Sequence, residues 1–165
     1  MTTNKRLVVA ITGASGAVYG IRLLKILQEL GIQTHLIISP MGARVVREET
    51  QTAPEDLKKI TTITHAPDDL GAPIASGSFQ TDGMLVVPCS IKTLSGIANS
   101  YAENLIQRAA DVHLKEGRPL LLAVRETPLH AGHLRLMSLA AESGAIIFPP
   151  VPAFYNSPET IDALI

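Results

Sequence analysis

The stretch Leu7-Val8-Val9-Ala10-Ile11-Thr12, followed at once by Gly13-Ala14-Ser15-Gly16-Ala17, decides the architecture, because an apolar strand runs straight into a glycine-bracketed turn that opens a helix. Glycines let the backbone turn tightly and approach a ligand, while the first free N–H groups of the helix and its dipole attract an anion. A phosphate-bearing ligand at this turn is the first expectation. The turn is neither a full G-x-G-x-x-G nor a loop ending in Gly-Lys-Ser/Thr, which disfavours ATP held in the usual way. A tight strand-to-helix turn with no ligand is the alternative.

Working outward, residues 6 to 12 read as a buried strand and 19 to 30 as a helix, with Ile21, Leu24, Ile26, Leu27 and Leu30 near helical spacing before Gly31 stops it. A strand at 34 to 39 leads into Ser39-Pro40, a cap followed by proline at the first helical position, and a helix to about residue 50. Residues 51 to 82 are the least regular, with a short helix expected near 54 to 59, a strand near 61 to 64 and loop beyond. A strand at 83 to 87, ended by Pro88, precedes helices at about 91 to 100 and 102 to 115. The strand 120 to 124, a helix at 131 to 143 and a last strand at 145 to 148 complete the alternation. Nearly all-apolar strands alternating with helices predict an α/β fold with a parallel sheet covered on both faces.

In such sheets ligands lie beyond the carboxyl ends of the strands. The residues found there are Gly13 to Ser15, Ser39, Ser90 to Thr93, and Arg125-Glu126. Hydroxyls, glycines, helix starts and one arginine are thus expected on a common rim.

Composition narrows the function. The 165 residues carry 14 Lys plus Arg against 15 Asp plus Glu, with no basic block to suggest a nucleic-acid partner. They fit one domain with a proper core. Although 46% of residues are hydrophobic, no apolar run approaches the roughly 20 residues of a membrane span. That apolarity is more simply buried between subunits. A start without a secretory pattern and a single cysteine, Cys89, fit a cytoplasmic protein without a disulfide framework.

Each polar constellation has two readings. Ser90 and Thr93 stand three apart at a helix start, as ordinary capping or as hydroxyls turned towards an anion. Arg125, emerging from a core strand, can clamp a phosphate, and Glu126 either neutralises it or works as an acid/base carboxylate. Arg108 and Lys115 share one side of a helix and can face one anion, or Arg108 simply pairs with Asp111. His130 and His133, with no third ligand nearby, read as structural rather than metal-binding. Cys89 reads as a small packed residue, and Glu49, amid Glu48, Arg44 and Arg47, reads by itself as a surface charge.

Six segments in order and spacing resemble the UbiX-type flavin prenyltransferases: Gly13-Ala14-Ser15-Gly16-Ala17, Ser76-Gly77-Ser78, Pro88 to Gly96, Arg108 to Asp111, Arg125 to Leu129 and Pro152 to Tyr155. The resemblance implies a three-layer, doubly wound, Rossmann-like or flavodoxin-like flavoprotein domain spanning residues 1–165, homo-oligomeric and typically dodecameric. Its implied activity joins a dimethylallyl group from dimethylallyl phosphate to N5 and C6 of reduced FMN, without a metal, giving prenylated FMN for UbiD-type decarboxylases, including those of ubiquinone biosynthesis. A related FMN-dependent cysteine decarboxylase and a non-catalytic flavin carrier are the alternatives, although the Pro-x-Met-Asn segment of the former is absent.

By the same resemblance Gly13, Ala14, Ser15, Ser39, Ser90, Ile91, Lys92, Thr93 and Arg125 match FMN-binding positions. Arg108, Lys115, Glu126 and Tyr155 match the dimethylallyl phosphate site. Ser15 and Glu49 match residues that move protons near flavin N5, which revises the surface reading of Glu49, and Glu126 matches a further proton-transfer residue. Family members continue with another helix and a basic residue that helps hold the phosphate. This chain stops at Ile165 inside a helix expected to begin at Ser157-Pro158-Glu159, so either a tail is missing or the substrate site is weakened.

Overall fold

Successive residues of the first strand face two different cores. In β1 (Arg6–Ile11), Val8 and Ala10 pack into one cluster and Val9 and Ile11 into another, all four with no exposed surface. A strand apolar on both sides is stable only with helices on both sides, and the computed structural model, which describes residues 5–165, has them. Helices α1 (Ala17–Glu29) and α2 (Pro40–Glu49) cover the Val9 face. Helices α3 (Ile91–Ala98), α4 (Leu105–Lys115) and α5 (Ala131–Glu142) belong to the Val8 face.

The remaining strands are β2 (Gln33–Ile38), β3 (Ile63–His65), β4 (Gly83–Cys89), β5 (Leu120–Val124) and β6 (Ile146–Ile147). All pairings are parallel, in the order β3-β2-β1-β4-β5-β6. This is the three-layer doubly wound arrangement in its Rossmann order. The direction of winding reverses between β1 and β4, so a crevice opens beyond their carboxyl ends.

Several boundaries differ from the sequence expectation. Helix α1 starts two residues early because Gly16 adopts φ 105°, a left-handed conformation that carries the chain into the helix at once. Pro88 does not end β4. Lacking an N–H it costs the ladder a rung, and after a register shift the pairing resumes at Cys89 with Val124. Helix α4 starts at Leu105 rather than Ala102, since the Asn104 side chain accepts from Gln107 N at 3.1 Å and sets the cap there.

Strand β3 lies two residues later than expected, with Thr34 and Thr62 exchanging side-chain hydrogen bonds of 3.0 and 3.2 Å just ahead of it. The expected helix near 54 to 59 is a 3-10 segment, Pro54–Ile60. The last strand shrinks to two residues at the sheet edge. Ser157 is left-handed rather than helical, and the short α6 (Ile161–Leu164) is capped by Thr160 and tied to α1 through Arg22 and Asp162.

One polar cluster sits inside this frame. His35, 3% exposed on β2, shares a 2.9 Å hydrogen bond from its Nδ1 to His65 Nε2 on β3 and meets the edge of Phe79, over which the Arg6 guanidinium stacks at 4.6 Å. Burial, His65 and Arg6 disfavour a charge on His35 and lower its pKa to about 4. Burial likewise lowers His65, with Asp69 opposing. The neutral pair therefore stabilises the fold fully above an unfolded histidine value of about 6.5, and that contribution is lost as pH falls from there to about 4. Urea unfolding over this window should show stability falling with a slope of up to about 1.4 kcal/mol per pH unit from His35. His35→Gln should flatten that slope; an unchanged slope contradicts the assignment.

Candidate functional site

Beyond β1 the chain passes through Gly13, Ala14 and Ser15 into α1, whose start has no side-chain cap of its own. The cap comes from Glu49, at the end of α2, whose Oε2 accepts from Gly16 N at 2.8 Å and Ala17 N at 3.0 Å. Burial alone would raise its carboxyl pKa. The hydrogen bonds from the Ser15 side chain and from Gly16 and Ala17, with the charge of Arg125, outweigh that and hold it below the usual carboxylate range. The first turn therefore is an anion seat, but the anion on its leading N–H groups belongs to the protein. This corrects both the expectation of a ligand phosphate on those groups and the reading of Glu49 as a mere surface charge.

The starts of α2 and α3, at the same edge, border a common space. Ser39 Oγ caps α2 by accepting from Gly42 N at 3.0 Å, ahead of Pro40. Gly42 must lack a side chain, because a Cβ there would collide with the Ile11 carbonyl oxygen at the end of β1, and a Cβ on Gly13 would stand 2.6 Å from Met41 Cβ. Ser90 Oγ caps α3, accepting from Thr93 N at 3.3 Å and donating to Thr93 Oγ1 at 3.1 Å. Both serines thus perform ordinary capping, and both also face a common space.

That space is a cleft of about 460 Å³ lined by Gly13, Ser39, Pro40, Met41, Ser90, Ile91, Lys92, Thr93, Asn104, Ile106, Gln107 and Glu126. It falls in the size range of small-ligand sites and lies where the winding reverses. Arg125 follows β5 directly, with its N–H on Cys89 O at 3.2 Å and its charge felt by Glu49. Glu126 accepts from its own neighbour, Thr127 N, at 3.0 Å. Segments far apart in sequence meet here, and most expected flavin-site residues are among them.

Ala14, Ser15, Glu49 and Arg125 do not themselves line the cleft, and three further expected residues stand apart from it. Arg108 donates to Ala75 O at 3.1 Å and pairs with Asp111 at 2.8 Å, as the pairing reading has it. Helix α4 runs antiparallel to the strands, so Lys115 in its last turn, paired with Glu116 beside Gly77, lies towards the amino edge of the sheet. Tyr155 is 88% exposed in the 3-10 turn Phe154–Asn156. None of the three lines the cleft.

Sequence reasoning missed Asn104, Ile106 and Gln107 as lining residues. The signal was present: Asn104-x-x-Gln107 ahead of an apolar run is a helix-start pattern, obscured by placing that start at Ala102. His130 caps α5 through its Nδ1, which accepts from Gly132 N at 3.0 Å, with the His133 ring centroid 3.6 Å away and tilted by 32°. Burial pushes the Cys89 thiol up to about 12, which makes it a packing residue rather than a nucleophile.

Fold and rim together define a Rossmann-type nucleotide-binding protein, and residues 1–151 match the family model described as Flavoprotein. The flavin prenyltransferase UbiX of Escherichia coli strain K12 is 56% identical over 162 residues, covering 98% of this chain and 86% of that protein. A UbiX crystallised with FMN and dimethylallyl pyrophosphate superposes with a TM-score of 0.96 at 46% identity, over 98% of this chain and 86% of that one. A dodecameric FMN-dependent UbiX-like decarboxylase from Escherichia coli O157:H7 gives a TM-score of 0.95 at 47% identity, covering 96% and 87%. This chain belongs to the flavoprotein family and, within it, to the UbiX-type flavin prenyltransferases.

Loss of the Glu49 carboxylate should loosen the start of α1. Glu49→Ala is expected to cost about 1 kcal/mol of stability in urea unfolding near neutral pH. Because its carboxyl pKa is held low in the fold, the wild-type advantage should persist above an unfolded value of about 4.3 and vanish as pH falls through the lower folded value. A variant as stable as wild type at pH 7 contradicts the capping role.

Proposed function

We propose that this chain transfers a dimethylallyl group from dimethylallyl phosphate to N5 and C6 of reduced FMN, and that the product serves a UbiD-type decarboxylase in the cytoplasm. The observation that carries this reading is the meeting of Gly13, Ser39, Ser90 to Thr93 and Glu126 around one cleft at the winding reversal. The donor set suits FMN: the open α2 and α3 starts, the hydroxyls of Ser39, Ser90 and Thr93 and the Arg125 guanidinium suit a phosphate and ring carbonyls. Met41, Ile91 and Ile106 supply apolar surface for a ring.

Bound reduced FMN supplies the electron-rich ring that accepts the prenyl group. Ser15 and Glu49, whose side chains are hydrogen-bonded, would hold and pass a proton to or from the bound flavin. Glu126, which lines the cleft, would handle the second proton transfer. The fixed charges of Arg108 and Lys115, with the Tyr155 hydroxyl, stabilise the departing phosphate.

Because Arg108, Lys115 and Tyr155 stand apart from this chain's own cleft, a second copy brings them to it. An oligomer is supported by the exposed apolar surface of Phe148, Val151, Phe154, Tyr155 and Ile161, each more than half exposed, and by the dodecameric assembly of the solved relative. Among the described residues no helix is long and apolar enough to cross a membrane.

Mass spectrometry of the flavin after incubation with reduced FMN and dimethylallyl phosphate should show the mass of one added dimethylallyl group. Unchanged FMN would instead mark a flavin carrier, and carbon dioxide released from a peptide ending in cysteine would mark a cysteine decarboxylase. Glu49→Gln should keep FMN binding while turnover drops about 10²- to 10⁴-fold. Lost FMN binding in that variant would refute the proton-moving role.

A further inference from the structure

Thr12, the residue between β1 and the glycine turn, is 1% exposed, and its side chain faces β4 rather than any ligand space. Its Oγ1 donates to Pro88 O at 2.8 Å and accepts from Ser90 N at 2.8 Å, while its own N–H donates to Pro88 O at 3.2 Å. These bonds fall where the β4 register shifts between Val86 and Cys89 and where Pro88 has no N–H to offer. A side-chain hydroxyl thus replaces the rungs that the irregularity removes.

The bonded tripeptide is a hub. Ser90 starts α3, and on the far side Cys89 O accepts from Arg125 N at 3.2 Å. Thr12 therefore ties the Gly13–Ser15 turn to Ser90 and, through Cys89, to Arg125. A valine of the same shape leaves the Ser90 N–H without its partner and Pro88 C=O with only the backbone N–H of residue 12, whereas a serine keeps both side-chain bonds.

We infer that the Thr12 hydroxyl is a positioning residue for the flavin site, fixing the helix α3 start and Arg125 against the first turn without touching the ligand. The inference rests on the cleft being the FMN site. It is absent from any reading of motifs because Thr12 lies inside the strand pattern.

The test is a fluorescence titration with FMN of wild type, Thr12→Val and Thr12→Ser, each checked for cooperative melting. Thr12→Val should weaken FMN by about tenfold or more and alter the visible circular dichroism of the saturated flavin, and Thr12→Ser should restore both to near wild type. Should the valine variant not fold, Thr12→Cys, with its weak donor, should bind FMN more weakly than Thr12→Ser. Wild-type affinity and spectrum in Thr12→Val, or equal losses in Val and Ser variants, overturn the inference. Arg125→Ala separates the two levels: unchanged FMN binding there places the flavin elsewhere and removes the premise, while weakened binding with an indifferent Thr12→Val overturns Thr12 alone.

Discussion

The Val8–Ile11 stretch of β1 is buried on both faces and is apolar throughout, since an unpaired polar side chain there would be costly. Everything reactive is thereby displaced to strand ends. With all neighbours parallel, the carboxyl ends collect at one edge, and each following helix begins there with its unpaired N–H groups outward. The reversal of winding between β1 and β4 then sends the helices that follow these two strands, α1 and α3, to opposite faces and leaves the crevice that Ser39, Ser90 and Glu126 line.

The starts of α1, α2 and α3 at that edge are not equivalent. The α1 start, the one with the most conspicuous glycines, is neutralised internally by Glu49 and so presents a hydrogen-bonded carboxylate rather than an empty anion seat. The α2 and α3 starts are capped by single serines and keep their remaining donors on the cleft. Negative charge on Glu49, whose carboxyl pKa is held below the usual range by its hydrogen bonds and the charge of Arg125, gives this edge a fixed polarity.

Close packing sets the dimensions of the cleft. Gly42 against the Ile11 carbonyl and Gly13 against Met41 bring α2 onto the end of β1, while Gly96 against Gln107 brings α3 onto α4. Each is a place where the absent Cβ, rather than a bond, determines how near two walls stand. Thr12 performs the complementary task with hydrogen bonds, between β1 and β4.

Periodicity and turn chemistry made the parallel α/β class, most elements and the rim residues legible, because apolar runs, Ser-Pro starts and glycine stops act over a few residues. The resemblance across six segments added the flavin and its prenyl chemistry. One boundary failed where a distant partner decides, since β4 crosses Pro88 because β5 resumes pairing with Cys89; another, the α4 start, was written locally in Asn104 and overlooked. Glu49 looked like surface charge because its partners lie 32 and 33 residues away, and Arg108 and Lys115 looked adjacent to the rim because sequence spacing does not say which edge a helix end reaches. Local patterning alone thus determined which segments form strands and helices and which residues follow each strand. Only tertiary structure decided that Glu49 fills the first helix start and that Thr12 joins two strand ends, since both depend on contacts that exist only after the sheet has closed between its two layers.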